Sequence, residues 1–253
     1  MEQALKARIQ AWSASPSPLL RALGRALGTL GSVRRFLGNP RSRSEQLTRI
    51  FHRHTQYQGA TYSEPNRYPE LFAACKQRLQ NIPAPTILCF GCATGEEAFT
   101  LGEYIPTATI IGVDINRWCL KQCALHNESP RIQFLHALSP EFLALPPFDA
   151  IFAMAVFQRS ENRNRTAAVA QGNFTFSKFE QEIARLDARL NPGGLFFIDH
   201  ADFRFEDTAP AAHYIPLSCE GNQFLHQRPL FDHNNKLITT NYTMHRAFEK
   251  RPA

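Results

Sequence analysis

The sequence predicts an α/β fold, in which a mostly parallel sheet is layered with helices, preceded by a helical N-terminal segment and completed by an antiparallel hairpin. Three observations carry this expectation. From Thr86 onward, short apolar runs alternate with helical stretches, the order that builds βαβ units. The first of these runs passes through a loop of small residues directly into a helix. Near the other end, Asp232-His233-Asn234-Asn235-Lys236 separates residues 223–231 from 237–248, and an asparagine pair suits a tight turn between antiparallel strands.

Taken in chain order, the first element is amphipathic. In PLLRALGRALGTLGSVRRFL, residues 18–37, Leu19, Leu20, Leu23, Leu27, Leu30, Val33 and Leu37 recur at helical spacing, with Arg21, Arg25, Arg34 and Arg35 as the polar complement. Gly24, Gly28 and Gly31 each weaken such a helix by about 1 kcal/mol relative to Ala, so it needs a surface to lie on. Lys6, Arg8, Arg41, Arg43, Arg49 and Arg53 add to the positive charge against only Glu2 and Glu45. This segment therefore suits either a cap over the rest of the protein or contact with an anionic membrane surface.

Pro69 to Leu79 reads as a second helix, with proline in its first turn, and Asn81 to Pro85 as the break into the core. Residues 1–80 are thus expected to form a basic helical extension and 81–253 the main domain. Strands are expected near 86–90, 109–113, 132–135, 149–156 and 194–199.

Composition bounds the function. Hydrophobic residues at 43% and charged residues at 20% exclude a disordered or fibrous chain. No apolar run reaches the roughly 18 residues that span a bilayer, and the N-terminus lacks a signal peptide's apolar core, which points to the cytoplasm and to reduced cysteines. Cys89 and Cys92 form a C-x-x-C, and Cys119 and Cys123 lie one helical turn apart. A four-thiolate zinc site fits that spacing, but Cys89 closes a strand and Cys92 lies in a loop that serves another purpose, so no metal is expected.

That loop is the most informative segment. Thr86-Ile87-Leu88-Cys89-Phe90 leads through Gly91-Cys92-Ala93-Thr94-Gly95 into Glu96-Glu97-Ala98-Phe99. Small residues at 91, 93 and 95 let a ligand approach the backbone and aim helix-terminal amides at a negative group. Alone, such a loop serves a nicotinamide or flavin dinucleotide equally well. The second apolar run, Thr109 to Val113, ends in Asp114, about 20 residues past the loop, where a carboxylate accepts from ribose hydroxyls.

Together with Phe148-Asp149-Ala150-Ile151-Phe152 and Leu190-Asn191-Pro192-Gly193-Gly194, these motifs resemble those of the class I, Rossmann-like S-adenosyl-L-methionine-dependent methyltransferases, across residues 86–199. GCATGEE is similar to the loop of the chemotaxis receptor glutamate methyltransferases. The resemblance implies a seven-stranded sheet, S-adenosylmethionine as cofactor, and Gly91, Cys92, Ala93, Gly95, Glu97, Asp114, Ile115, Ser139 and Ala153 as its binding residues. Pro192-Gly193-Gly194 would be a structural turn. Arg67, in an R-x-P-E-x-F spacing that the chemotaxis enzymes share, would grip the cofactor's carboxylate, a task suited to a permanently charged, bidentate guanidinium. Cys89 stands where many class I enzymes have an acid, and after the third strand only His136 or Ser139 is available near the adenine.

Methyl transfer to a nucleophile needs alignment and a place for a proton, so Asp199, His200 and His213 are the candidate general bases. Tyr57, Tyr62 and Tyr68 offer an aromatic wall for a sulfonium. The polar stretch 160–176 is expected to border the acceptor or act as a lid. The function these residues fit is a methyltransferase with an unidentified, small-molecule acceptor. Two alternatives are a protein glutamate methyltransferase, against which stands Met154-Ala155 in place of the chemotaxis enzymes' Arg-Asn pair, and a non-catalytic cofactor- or nucleic-acid-binding protein. No aromatic-basic motif or zinc-finger spacing supports nucleic acid.

Overall fold

The computed structural model describes residues 2–52, 55, 57–59, 61–159, 162, 169–170, 174–225, 228–240 and 243–252. By internal packing the chain divides after Phe51 into two units. The first holds α1 (Glu2–Ser13), α2 (Pro18–Gly38) and α3 (Pro40–Phe51). Proline opens both α2 and α3, where its missing N–H has no intrahelical partner to lose, and Asn39 caps α3 by accepting from Ser42 N at 3.1 Å. Gly24 lets α1 approach α2: a Cβ there would stand 2.5 Å from Ser13 N and 2.9 Å from Trp12 C. Leu19, Leu20, Leu23 and Leu37 of α2 are exposed, Leu19 by 80% and Leu37 by 68%. Among the described residues no helix is long and apolar enough to cross a membrane.

The second unit begins at His52. It includes residues 52–80, which the sequence assigns to the extension: Leu71, Phe72, Cys75 and Leu79 of α4 (Pro69–Leu79) are buried in its core. The strands β1 (Thr86–Phe90), β2 (Thr109–Asp114), β3 (Ile132–His136), β4 (Phe148–Met154) and β5 (Leu190–Asp199) are parallel and lie in the order β3-β2-β1-β4-β5. They alternate with α5 (Glu96–Tyr104), α6 (Arg117–His126), α7 (Pro140–Leu143) and α8 (Phe176–Asp187). Successive strand residues point to opposite faces, and both faces are apolar here. In β1, Ile87 and Cys89 join the core under α4 and α5, while Leu88 joins the phenylalanine-rich core that includes Phe142, Phe179 and Phe196.

β6 (Tyr214–Pro216), β7 (Gln223–Leu225), β8 (Thr243–His245) and β9 (Ala247–Lys250) finish the unit. The seven-stranded, mostly parallel sheet with an antiparallel pair agrees with the expected fold. The pairing differs in detail. β9 runs antiparallel between β5 and β6, whereas β7 and β8 form a separate two-stranded sheet. The expected turn at 232–236 is present, with Asp232 Oδ1 accepting from Asn234 N and Lys236 N at 2.8 Å each, and the segments beside it pair antiparallel as β7 and β8, while among the described residues only Ala247 and Phe248 of them enter the main sheet, in β9. Pro192-Gly193-Gly194 likewise lies inside β5, where the register shifts between Phe148 and Ala150, and not before it.

Phe152 and Phe197 stack across neighbouring strands with centroids 4.2 Å apart, and both are fully buried. Phe197→Ala is expected to lower the stability of this unit by about 3–5 kcal/mol, read from denaturant titration. A loss below about 1 kcal/mol would show that the site collapses around the deletion.

Candidate functional site

The carboxyl ends of β1 and β2 are locked together by backbone shape. Gly91, Ala93 and Gly95 take left-handed conformations, with φ of 74°, 48° and 96°. The amides of Gly91 and Cys92 then donate to Val113 O at 2.8 and 3.0 Å, and Ala93 N donates to Asp114 Oδ2 at 2.9 Å. Asp114 Oδ1 accepts from Asn116 N at 2.7 Å, so one carboxylate organises both loops. The glycines have different reasons. A Cβ on Gly91 would lie 2.6 Å from Val156 Cγ2, whereas one on Gly95 would meet the rings of Phe99 and Phe134 at 2.9 and 3.1 Å. Gly95 therefore serves helix packing and does not line the space above the loop.

That space is a cavity of about 380 Å³. Of the residues the sequence assigns to the cofactor, Arg67, Gly91, Cys92, Ala93, Glu97, Asp114 and Ile115 line it. Ala137 and Leu138 form its wall after β3 in place of Ser139, whose Oγ is engaged in capping α7 through Phe142 N at 3.2 Å. Met154, Ala155 and Val156 line it in place of Ala153, which is fully buried within β4. Thr55, Tyr57, Gln58 and residues 61–64 supply a further wall that the sequence reading did not identify as a unit.

All three expected tyrosines line the cavity, each in a different state. The Tyr57 hydroxyl donates to Glu182 Oε2 at 2.9 Å, and Tyr62 is 62% exposed. Tyr68 is buried, yet among the described residues its hydroxyl has no hydrogen-bond partner, and neither has Gln58 Oε1. Both are orphaned polar atoms of residues that line the cavity, and an orphaned buried atom calls for a partner. The expected lid at 160–176 falls mainly on 160, 161, 163–168 and 171–173, which lie outside the described residues.

Withdrawal from solvent dominates the electrostatics. It pushes the Glu97 carboxyl up to about 8, against the opposing pull of a Cys89 hydrogen bond and the Arg67 charge. Asp114 is pushed up to about 6 by the same burial, against hydrogen bonds from the backbone of Asn116, Ala93 and Ile115. Both carboxyl groups reach solvent only in part, where they border the cavity. Burial first, with the Asp199 charge adding to it, raises the Tyr68 hydroxyl, which stays protonated. Burial likewise raises the thiols of Cys75 and Cys89, and five of the six cysteines are buried. Cys123 Sγ lies 3.3 Å from Ala93 O, beneath the loop. Among the described residues no group of three or more His, Cys, Asp or Glu side chains is placed to hold a metal ion.

The three candidate bases are not brought together. Asp199 and His200 end β5 beside the cavity without lining it: His200 Nδ1 lies 2.9 Å from Asp199 Oδ2, and its Nε2 is 3.3 Å from Arg67 Nη2. Burial raises the Asp199 carboxyl, but hydrogen bonds and charge from His200, with the Arg246 charge, leave it below the ordinary value. His213 is elsewhere. Its Nδ1 is 3.8 Å from Asp187 Oδ2, and its carbonyl accepts from Arg251 N at 2.7 Å, next to where β5 starts and away from the carboxyl ends of the strands.

Comparison with known proteins bears on this arrangement. Residues 87–173 match the family model of a methyltransferase domain. No curated protein matches the chain. Among solved structures, the plantazolicin methyltransferase BpumL in complex with SAH is 14% identical, with a TM-score of 0.38 over 66% of this chain and 56% of that one. The precorrin-6y C5,15-methyltransferase from Geobacter metallireducens is 15% identical, with a TM-score of 0.45 over 76% and 94%. PKMT2 from Rickettsia typhi in complex with AdoHcy is 18% identical, with a TM-score of 0.36 over 54% and 26%. The alignment with BpumL thus spans little more than half of that protein's length. The matched segment contains the loop 91–95, Asp114 and β4, so the floor of the cavity lies within the part of the chain that is similar to a methyltransferase domain.

Proposed function

We propose that this protein transfers the methyl group of S-adenosylmethionine to a small-molecule acceptor. The cavity carries the reading, because it combines the Gly91–Ala93 loop, the Asp114 carboxyl and Arg67 in one space of cofactor size. The residues fit the group. Asp114 keeps capacity to accept from ribose hydroxyls beside the backbone amides it already holds, and Glu97 offers a carboxyl to the amino group. Arg67 faces the same space and suits the carboxylate. Ile115 and Leu138 give apolar walls for an adenine.

When bound, the sulfonium supplies an electrophilic methyl group for in-line displacement. The protein's part is then to hold the partners in line and keep water out. Thr55, Tyr57, Gln58, residues 61–64, Arg67 and Tyr68 help enclose the cavity, which favours an acceptor small enough to enter over a side chain fixed on a folded protein. Tyr68 Oη and Gln58 Oε1 supply one donor and one acceptor to orient it.

Incubation of the protein with methyl-labelled cofactor and a metabolite extract is expected to yield labelled small molecules. Label found only in base-labile protein esters would reject the small-molecule reading. Asp114→Ala is expected to weaken cofactor binding by about 1.5–3 kcal/mol in calorimetry, the scale of hydrogen bonds to a charged group. A folded variant with unchanged affinity would mean that the ribose is held elsewhere.

The pH dependence follows from the same carboxyl groups. Ribose hydroxyls donate more strongly to the ionised form of Asp114, so affinity should climb as pH rises through about 6, and this climb should vanish in Asp114→Asn. In the empty protein Glu97 behaves oppositely with respect to stability. Its carboxyl rises from 4.5 to about 8 on folding, so the stabilising effect is full below about 4.5 and is lost as pH rises through about 8. Thermal melting between pH 5 and 9 should therefore fall less steeply for Glu97→Gln than for the parent, and parallel curves would refute the assignment.

A further inference from the structure

We propose that His200 is a positioning residue that holds Arg67 toward the cofactor's carboxylate, so that the Asp199–His200 pair at the end of β5 acts through the arginine and takes no proton from the acceptor. The proposal rests on the reading of Arg67 as a cofactor ligand. It starts from an asymmetry in placement: Arg67 lines the cavity and His200 stands behind it.

Hydrogen-bond chemistry fixes the state of the ring. A guanidinium only donates, so the contact between Arg67 Nη2 and His200 Nε2, at 3.3 Å, requires an unprotonated Nε2. In the neutral imidazole the proton then resides on Nδ1, which faces Asp199 Oδ2 at 2.9 Å. A general base needs a lone pair open to the acceptor. The Nε2 lone pair of this ring is engaged by Arg67, and its Nδ1 lies beside a carboxylate.

The surroundings hold that arrangement from behind. Asp199 has a side chain only 3% exposed and accepts from the His200 amide through Oδ1 at 2.6 Å. Arg246 Nη1 approaches Asp199 Oδ2 at 3.4 Å, while Arg246 Nη2 reaches Glu70 Oε1 at 3.1 Å and donates to the Gly221 carbonyl. The chain of contacts therefore runs from β9's edge through β5 to α4 and returns to Arg67, two residues before α4 begins. Tyr68 packs edge-on against the His200 ring at 6.2 Å, and the Arg67 guanidinium lies 5.3 Å from the Tyr68 ring centre. His200 itself has φ of 55°, a left-handed conformation that is unfavourable for a residue with a Cβ. Such backbone persists where neighbours over-determine it, as Arg67 at Nε2, Asp199 at the amide and Tyr68 against the ring do here.

The test measures cofactor affinity by calorimetry, and KM and kcat where turnover is found, in the parent, Arg67→Ala, His200→Leu, His200→Gln and the Arg67→Ala/His200→Leu double variant. Circular dichroism accompanies each. His200→Leu removes the acceptor and should weaken cofactor binding about tenfold, raising KM while kcat holds. His200→Gln places an amide oxygen where Arg67 can still donate, and should recover affinity to within about threefold of the parent. The double variant should bind no more weakly than Arg67→Ala, because the two losses share one cause. Should the leucine variant unfold, His200→Phe, which keeps a ring against Tyr68, carries the same expectation. Additive losses, or a His200→Leu variant with intact affinity and kcat reduced a hundredfold, would overturn the proposal while leaving the cofactor site standing. A parent without affinity for S-adenosylmethionine, or an Arg67→Ala variant that binds normally, would overturn both.

Discussion

The hydrogen bond from Ala93 N to the Asp114 carboxylate is the constraint on which the site depends. It ties the loop after β1 to the end of β2, and it forms only because the loop enters left-handed backbone at Gly91, Ala93 and Gly95. Those conformations turn the amides of Gly91 and Cys92 back onto Val113 O and free the opposite side of the loop to face the cavity. The core beneath is fitted to the same turn. Val156 fills the space that a side chain at 91 would take, and Phe99, Phe134 and Cys123 fill the space at 95. Loop, carboxylate and packing therefore constrain one another, and a change at any of the three displaces the other two.

Around this fixed floor the protein gathers acids with raised affinity for protons and the Arg67 guanidinium. Asp114 and Glu97 are withdrawn from water, and Arg67, whose charge acts on Glu97, borders the same cavity. A zwitterionic ligand suits such a place, since its cation and its hydrogen-bond donors satisfy the acids while its anion meets the guanidinium. The buried thiols contribute to the low polarity of the floor and take no visible part in chemistry, because burial keeps them protonated.

Much of the floor was legible in the sequence. β1 lies at 86–90 as its apolar run indicates, and Asp114 closes β2 at the place where spacing puts it. These signals are local, set by strand periodicity and by glycine in a short loop. What could not be read depends on distant partners. β4 is apolar on both faces, so its pattern does not say which residue emerges at the cavity, and Met154 to Val156 do so where Ala153 was expected. Residues 55–64 have no helical or strand period, and nothing local marks Tyr57 as the partner of Glu182, far away in the chain. His213 illustrates the converse: its type suited the chemistry, but the route of the chain after β5 carries it back to the starting edge of the strands. The turn at 232–236 was recognisable from its own residues, whereas the partners of the flanking segments were decided by which strand edge stood open.

The position of β9 has a consequence for how the polypeptide acquires its shape. Strands β1 to β5 are made in an order that lets each new one find a neighbour already present, but among the described residues β6 pairs with the main sheet only through β9. About 30 residues separate the two, so at a ribosomal rate of roughly 5–20 residues per second β6 waits some two to six seconds for its partner. During that interval the outer edge of β5 is an uncovered row of peptide groups, open to pairing with another nascent chain. Phe196 and Phe197 lie on that strand, so the delay exposes an apolar β-rich segment at the moment when its backbone is least protected. The vectorial order of synthesis thus makes this edge the place where a chaperone has most to do.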